Sequence, residues 1–599
     1  MSTYVFDIET DSLEANELYC IVAQHLPSKK LYSFPPDKLN EGLELLKSAT
    51  CLIGHNILGF DLPKLEKLTG INLDDERSII DTLVLSRLFK PTREGGHSLE
   101  SWGYRLNKHK LDFAVEDFGK GFTPEMLAYC EGDVELNTEV YLHLKAYEAQ
   151  GFSEKAIQLE HEVFRIIRGQ MGHGFLMDMP MVTGLEAQIA QEIVELEDEV
   201  HKTFVPKVTK EKLIAKRTAS GELSKMAHNA TLDKGTRLKE DEYNKLKALM
   251  ADLPNPLDLS YIVRHTSTPF NLGSTKQIGE YLQDFGWVPK KFTPTGQPIV
   301  DDKVLTAVRG IPEAALIAKY LTLKKRLAFV SGWIKDVNPE TNRLHGYVNT
   351  LGAVTNRMTH SRPNVAQTPS SSTLYGTECR GCFTVPKGYK LVGADASGLE
   401  LRVLAHYMGD EDYANEIING DVHQRHQGIT GIDSRDKVKT FIYAFIYGAG
   451  DKKLGSVIGG GAKEGKRLRA SILDGIPALK QLQDRVAKAA RKGYLNGLDG
   501  RRILVRSPHA ALNTAFQSAG AIIMKVALVL LSEEIKKRRL DAHFVANIHD
   551  EFQIEVREDQ AEEAGSLAVW AIQQAGVVLN LRVKLDGEYK VGNNWAETH

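Results

Sequence analysis

The stretch Lys390-Leu-Val-Gly-Ala-Asp395-Ala-Ser-Gly-Leu-Glu400 decides the fold. An apolar run of strand length ends on an acid, Asp395, and a glycine-bearing turn separates it from Glu400. A second acid of this kind stands far downstream in His549-Asp550-Glu551, between strand-like runs at 543–548 and 552–556, which together read as a hairpin with acids at its tip. A palm-like sheet that pairs these strands brings Asp395 and Asp550 to one place, where two carboxylates can share a pair of divalent metals. Residues of about 406–510 between them read as helical, so one sheet domain is interrupted by a helical insertion.

Within that insertion Arg435, Lys439, Tyr443 and Tyr447 advance by four on one helix. At 3.6 residues per turn they drift by about 40° per step, giving a slowly winding stripe of two cations and then two rings. The order of types suits phosphate neutralisation followed by base stacking. Acids for metals and cations for a triphosphate together read as a nucleotidyl-transfer site.

At 599 residues the chain is too long for one core and predicts three or four domains. Hydrophobic residues at 42% and charged residues at 26% fit an ordinary globular protein, and no apolar run reads as a membrane span. The N-terminus lacks the basic and apolar regions of a secretory signal, so a cytoplasmic location is expected. Five cysteines, with no framework spacing, argue against disulfide staples; Cys379-Arg-Gly-Cys382 lacks a second ligand pair and reads as two reduced thiols, with no zinc. The net charge of −3 decides nothing, because a nucleic acid responds to local charge. Locally, residues 202–247 hold twelve Lys or Arg against six Asp or Glu, a net of +6, in a poorly periodic stretch broken by Pro254 and Pro256. Together with helical signals on both sides, it predicts a basic, mostly helical module over about 150–340.

The first 150 residues alternate strand-like and helical runs, as an α/β domain does. Asp7-Ile8-Glu9 ends a strand and places both acids on one face. Asp61 follows in His55-Asn56-x4-Asp61, and Tyr129-x3-Asp133 sets a phenol and a carboxylate one helical turn apart. Four such acids can hold two Mg²⁺ or Mn²⁺ ions, with Tyr129 orienting a water for attack on a phosphodiester. Asp81 reads as a core-lining helix residue and not a fifth ligand.

The order D-x-E, N-x4-D, Y-x3-D over residues 1–140 resembles the DEDD family of 3′–5′ exonucleases in its tyrosine-bearing form. The resemblance implies that Asp7, Glu9, Asp61 and Asp133 bind metals and that Tyr129 positions the water. Over nearly the whole chain, Asp395-Ala-Ser-Gly-Leu-Glu-Leu-Arg402, Lys439-Thr-Phe-Ile-Tyr443, Arg506-Ser-Pro-His-Ala-Ala-Leu-Asn513 and Gly352-Ala-Val-Thr-Asn-Arg357 resemble family A DNA polymerases, most of all the replicative polymerases of short-tailed phages. By that resemblance Asp395 and Asp550 are metal ligands with Glu551 beside them. Arg435, Lys439 and His423 contact the incoming triphosphate, Tyr443 stacks near sugar and base, and Tyr447 lies by the template. Glu400 gates against a ribose 2′-hydroxyl, and Arg357, Asn513, Gln517 and His549 contact the primer-template.

The implied fold is α/β and α+β multidomain: a ribonuclease H-like 3′–5′ exonuclease domain (1–148), then a right-hand polymerase. The hand comprises a thumb (149–340) with a basic insertion at about 205–268, a first palm segment (341–405), fingers (406–510) and a second palm segment (511–599). The implied function is template-directed, DNA-dependent DNA synthesis with proofreading, using two Mg²⁺ per active site or Mn²⁺ in their place, by a monomer that replicates phage DNA in the cytoplasm of an infected bacterium. Primer-template DNA and dNTPs are the substrates, and a phage helicase-primase and a single-stranded DNA-binding protein are candidate partners. Thioredoxin stays open as a partner, because the larger thumb insertion that recruits it in enteric-phage enzymes is shorter and dissimilar here. Rival readings are a single-subunit RNA polymerase or reverse transcriptase, opposed by Glu400 and the N-terminal nuclease, and a retired, merely DNA-binding protein, opposed by the intact acids. Gly460-Gly-Ala-Lys-Glu-Gly465-Lys466 nearly spells a phosphate-binding loop, but Arg467 stands where Ser or Thr would be needed, so a fingers loop is expected.

Overall fold

The computed structural model describes residues 2–74, 77–108, 119–228, 235–253 and 260–599. The chain divides into two compact units, residues 1–182 with 333–599, and residues 183–332.

The first unit opens with a five-stranded sheet of order β3-β2-β1-β4-β5, formed by β1 (Thr3–Thr10), β2 (Leu18–Leu26), β3 (Leu31–Phe34), β4 (Cys51–Gly54) and β5 (Ser78–Asp81). β1, β2 and β3 pair antiparallel, whereas β4 lies parallel to both β1 and β5, which is the ribonuclease H-like order expected. Alternation along β1 sends Tyr4, Phe6 and Ile8 into one apolar cluster and Val5 into another, where Cys130 and Val134 of helix α2 (Pro124–His143) meet it. Asp7 and Glu9 share the face of Val5, so α2 is the helix that reaches them. Helix α1 begins at Asp61 (Asp61–Thr69).

Asp81 departs from its expected role. It is the last residue of β5 and caps the following helix, accepting from the amides of Leu83 at 2.9 Å and Val84 at 3.3 Å. The amides of Asn56 and Leu58 also donate to it, so a buried carboxylate that looked like core lining is an N-cap saturated by backbone.

Helix α3 (Glu154–His173) follows, and near its middle the buried Glu160 forms an ion cluster. Arg501 Nη1 donates to it at 2.5 Å and Lys525 Nζ at 2.7 and 2.8 Å, while Arg501 also grips Asp499. Arg501 stands in a hairpin of strands Tyr494–Asn496 and Arg502–Leu504.

In the second unit the poorly periodic basic stretch, set between the long helices Met179–Thr203 and Pro312–Asp336, contains a sheet that its sequence did not announce. Strands β6 (Lys207–Ile214), β7 (Met226–His228), β8 (Gly235–Arg237) and β9 (Tyr261–Thr268) form an antiparallel sheet of order β9-β6-β7-β8, and helix α4 (Glu240–Ala251) covers one face through Leu246 and Met250. β9 is rich in β-branched residues, whereas in β6 three consecutive charges, Lys210, Glu211 and Lys212, interrupt any alternation and conceal the strand period. Pro254, Pro256 and the expected basic residue Lys234 lie outside the described residues.

Back in the first unit, β10 (Tyr389–Ala396), β11 (Ala542–Ile548), β12 (Glu551–Arg557) and β13 (Gly587–Gly592) form an antiparallel sheet of order β11-β12-β10-β13. Helix α5 (Leu399–Met408) leaves β10 after a turn at Gly398, and helix α6 spans Arg435–Ile446. Helix α7 (Ala511–Arg538) belongs to the one stretch among the described residues, Pro508–Arg538, long and apolar enough to cross a membrane. Its apolar window is 83% buried in the protein, which makes it the central core helix of this unit. The near phosphate-loop sequence at 460–466 enters a helix, Ala462–Gly475, and is preceded by the helix Asp451–Ser456 where a phosphate loop needs a strand.

Candidate active sites

The pairing of β10 fixes the C-terminal site. Asp395 lies opposite Glu551 of β12 and opposite Glu588 of β13. β11 and β12 close at Ile548↔Glu551, so His549 and Asp550 alone make the turn. His549 takes a left-handed conformation (φ 59°), a strained choice for a side chain with a Cβ. The amide of Ala396 donates to the carbonyl of Asp550 at 3.1 Å, which ties the turn to the residue after Asp395. The two predicted acids are thus neighbours.

Burial, with Asp550 and Glu551 adding repulsion, lifts the Asp395 carboxyl to about 7. Burial and then Glu400 lift Asp550 to about 6. Such crowded oxygen donors, raised together, fit a hard divalent cation, which would remove the repulsion. Glu551 has other commitments. Burial pushes it up, but bonds from His599, Gln553 and Trp595 outweigh that and hold it below its ordinary range. Trp595 Nε1 donates to Oε1 at 2.8 Å, and His599 Nδ1 lies 2.9 Å from Oε2. These C-terminal partners escaped the sequence reading, having no local pattern to betray them.

The basic stripe is present with two amendments. α6 ends at Ile446, and Tyr447, expected on the helix, is its C-cap. There Tyr447 Oη donates to Glu400 Oε1 at 2.7 Å, with Arg357 close by. Arg435 is held by Asp421, with Nε 3.0 Å from the carboxylate. Asp421 was not foreseen, although its place two residues before His423 is an N-cap spacing; it caps the helix Val422–Thr430. His423 is buried, its Nδ1 has no hydrogen-bond partner among the described residues, and burial and then Arg435 lower its pKa. Burial, then Glu400 and Asp550, raise the Tyr443 phenol to about 12, so it stays protonated. On α7 Gln517 Nε2 donates to Asn513 Oδ1 at 2.9 Å. Arg357, Glu400, His549 and Asp550 line one small pocket.

Near the N-terminus three of the four predicted acids, Asp7, Glu9 and Asp61, also come together. Asp61 is buried, its Oδ1 accepts from the Ile8 amide at 3.3 Å, and burial followed by Asp7 raises its pKa well above the usual carboxylate range. Ligand atoms of Asp7, Glu9 and Cys130 lie within 4.8 Å of one another. Cys130 is an addition to the predicted set. Burial and the adjacent Cys20 raise its thiol well above its ordinary value, so it stays protonated and leaves the carboxylate oxygens as the donors suited to Mg²⁺ or Mn²⁺. Tyr129 and the buried Asp133 flank Cys130 on α2.

Residues 243–597 match the model for DNA polymerase family A. The DNA-directed DNA polymerases of Enterobacteria phage T3 and Escherichia phage T7 are each 33% identical, over 99% of this chain and 100% of each relative. A solved structure described as the POL domain of Pol1 from M. smegmatis, in complex with DNA primer-template and dNTP, shares the fold at TM-score 0.77 and 19% identity, covering 99% of this chain and 95% of that one.

Proposed function

The chain belongs to DNA polymerase family A, and from that premise we propose how its two acid clusters divide the work of a DNA-directed DNA polymerase with a proofreading 3′–5′ exonuclease. The observation that carries the synthetic site is the tie between Ala396 and Asp550, which sets two raised carboxyls side by side at the end of a sheet. Asp395 and Asp550 hold two divalent ions, Mg²⁺ with Mn²⁺ as substitute, and Asp7, Glu9, Asp61 and Asp133 hold two more. Such ions supply Lewis acidity to an attacking hydroxyl or water and to the departing phosphate oxygen.

The side chains supply the rest. Arg435, Lys439 and His423 take the triphosphate of the incoming dNTP; the partly exposed Asp421 keeps the Arg435 fork aimed and yields it to the more strongly charged phosphates. Tyr443 stacks near sugar and base, and Tyr447 borders the template while it fixes Glu400, whose carboxylate excludes a 2′-hydroxyl. Arg357, Asn513, Gln517 and His549 read minor-groove acceptors common to all sequences. Glu551 anchors the hairpin to the C-terminal segment and so steadies Asp550. In the N-terminal site Tyr129 orients the hydrolytic water.

The domain plan proposed with this function is exonuclease to 148, thumb to 340, palm to 405, fingers to 510 and palm to the end. Primer-template DNA and dNTPs are the substrates of a monomer in the cytoplasm of an infected bacterium, with helicase-primase and a single-stranded DNA-binding protein as accessory partners and thioredoxin undecided.

Primer extension and exonuclease assays on two variants test the division. Asp550→Asn removes extension by about three orders of magnitude, the several kcal/mol that a metal site contributes, and spares degradation; Asp7→Ala with Glu9→Ala does the reverse. Loss of both activities in either variant refutes the two-site assignment.

A further inference from the structure

The basic sheet of residues 207–268 has a face that contains none of the residues assigned to either acid cluster. Leu213, Ala227 and Ile262 point to helix α4 and are buried. Strand alternation and register therefore send Lys210, Lys212 and Val263 the other way, since Lys212 pairs with Val263 and Lys210 with His265. Met226 and its partner Arg237 share that outer face, because Ala227 and Leu238 are buried.

Two properties of this face stand together. Among the described residues it carries no acid: Glu211 lies on the helix side, where Arg264 pairs with it and with Glu242. Lys210, Lys212 and Arg237 have no carboxylate partner among the described residues. The same face exposes large apolar side chains, with Val208 57%, Tyr261 51% and Val263 44% accessible. Lys212 Nζ sits 3.8 Å from the centre of the Tyr261 ring, so cation and aromatic form one platform.

The combination discriminates among partners. A duplex backbone calls for cations alone, and an apolar protein surface would leave three unpaired cations facing it. A single strand offers phosphates and unstacked base faces at once, which an aromatic platform edged by lysines accommodates without reading sequence. We propose that the outer face of this sheet binds single-stranded DNA, with Lys210, Lys212 and Arg237 on phosphates and Tyr261 under a base.

The test is fluorescence anisotropy of the full chain with labelled oligo-dT of about 16 nucleotides across a salt series. Replacing Lys210, Lys212 and Arg237 with serine is expected to reduce the slope of log K against log salt by about 2, at roughly 0.7 per phosphate lost. Tyr261→Ala is expected to weaken binding about tenfold at unchanged slope, since it removes a stacking ring and no cation. Lys210→Arg with Lys212→Arg should retain the wild-type slope, and melting curves of all variants check the fold. An unchanged slope in the serine variant overturns the proposal; so does an equal loss of affinity for a blunt duplex, which would make the face a duplex tracker. Nucleotide incorporation by the unaltered chain tests the polymerase reading separately.

Discussion

Glu160→Gln probes the buried ion cluster, and the structure permits its cost to be worked out. Glu160 carries the bonds of two buried cations, and the substitution leaves them facing an amide. Arg501 cannot lose its proton; burial opposes its charge while Glu160 and Asp499 hold its pKa above the ordinary value. It keeps Asp499 and loses one charge-assisted bond, a loss of roughly 1.5–3 kcal/mol. Lys525 has an escape. Burial, opposed by Glu160, leaves its pKa at about 8, so at pH 7 its charged form is preferred over the neutral one by only about 1.4 kcal/mol, and deprotonation caps its loss there. The sum is about 3–4 kcal/mol, in the range for breaking a buried pair.

The pH dependence carries a sign. The lysine pKa is lower in the folded state, so between about 8 and its ordinary value of 10.5 the unfolded chain binds more protons, and wild-type stability rises with pH. In Glu160→Gln the folded pKa falls further and the rise begins earlier. The difference between the proteins therefore shrinks by about 1.4 kcal/mol from pH 7 to pH 9. Equilibrium urea unfolding of both proteins at the two pH values measures it. A deficit below about 1 kcal/mol at pH 7, or one that grows with pH, refutes the reasoning.

Two further predictions concern the nucleotide. Tyr447→Phe removes the 2.7 Å bond to Glu400 and should raise the rNTP-to-dNTP ratio of kcat/KM by about tenfold, as loss of a charge-assisted bond allows; an unchanged ratio would mean that Glu400 needs no support. The protonated Tyr443 hydroxyl is expected to favour dideoxynucleotides. Single-turnover incorporation by wild type should show weak preference for dNTP over ddNTP, with Tyr443→Phe restoring discrimination by about tenfold; strong preference in the wild type contradicts this.

What could be read in the chain follows from the range of the interactions. Asp7 and Glu9 on one face, the hairpin around His549 and the Arg435 stripe all come from periodicities within a dozen residues, and the structure contains each with shifts of a residue or so. The basic sheet was not foreseen because its strands carry charge on both faces, Glu211 and Arg264 on the helix side and Lys210 and Lys212 on the other, a pattern that resembles a solvated loop or helix. Cys130, Asp421 and the partners of Glu551 were missed because only tertiary folding sets them beside the acids and Arg435. Asp81 illustrates a finer limit: the sequence shows a carboxylate before a helix, but only the Asn56 and Leu58 amides, from another turn, reveal why it is buried.

The Glu160 cluster also has a consequence in time. Its cations arrive 341 and 365 residues after it in the chain. At roughly 5–20 residues per second of synthesis, Arg501 emerges on the order of 20–70 s after Glu160. All five strands of the first sheet lie within the first 81 residues and have their partners throughout that wait. A chain whose synthesis stops between residues 351 and 501 therefore carries the whole first sheet and the core packed on it but not the hairpin of Asp550, with Glu160 as an unlatched end.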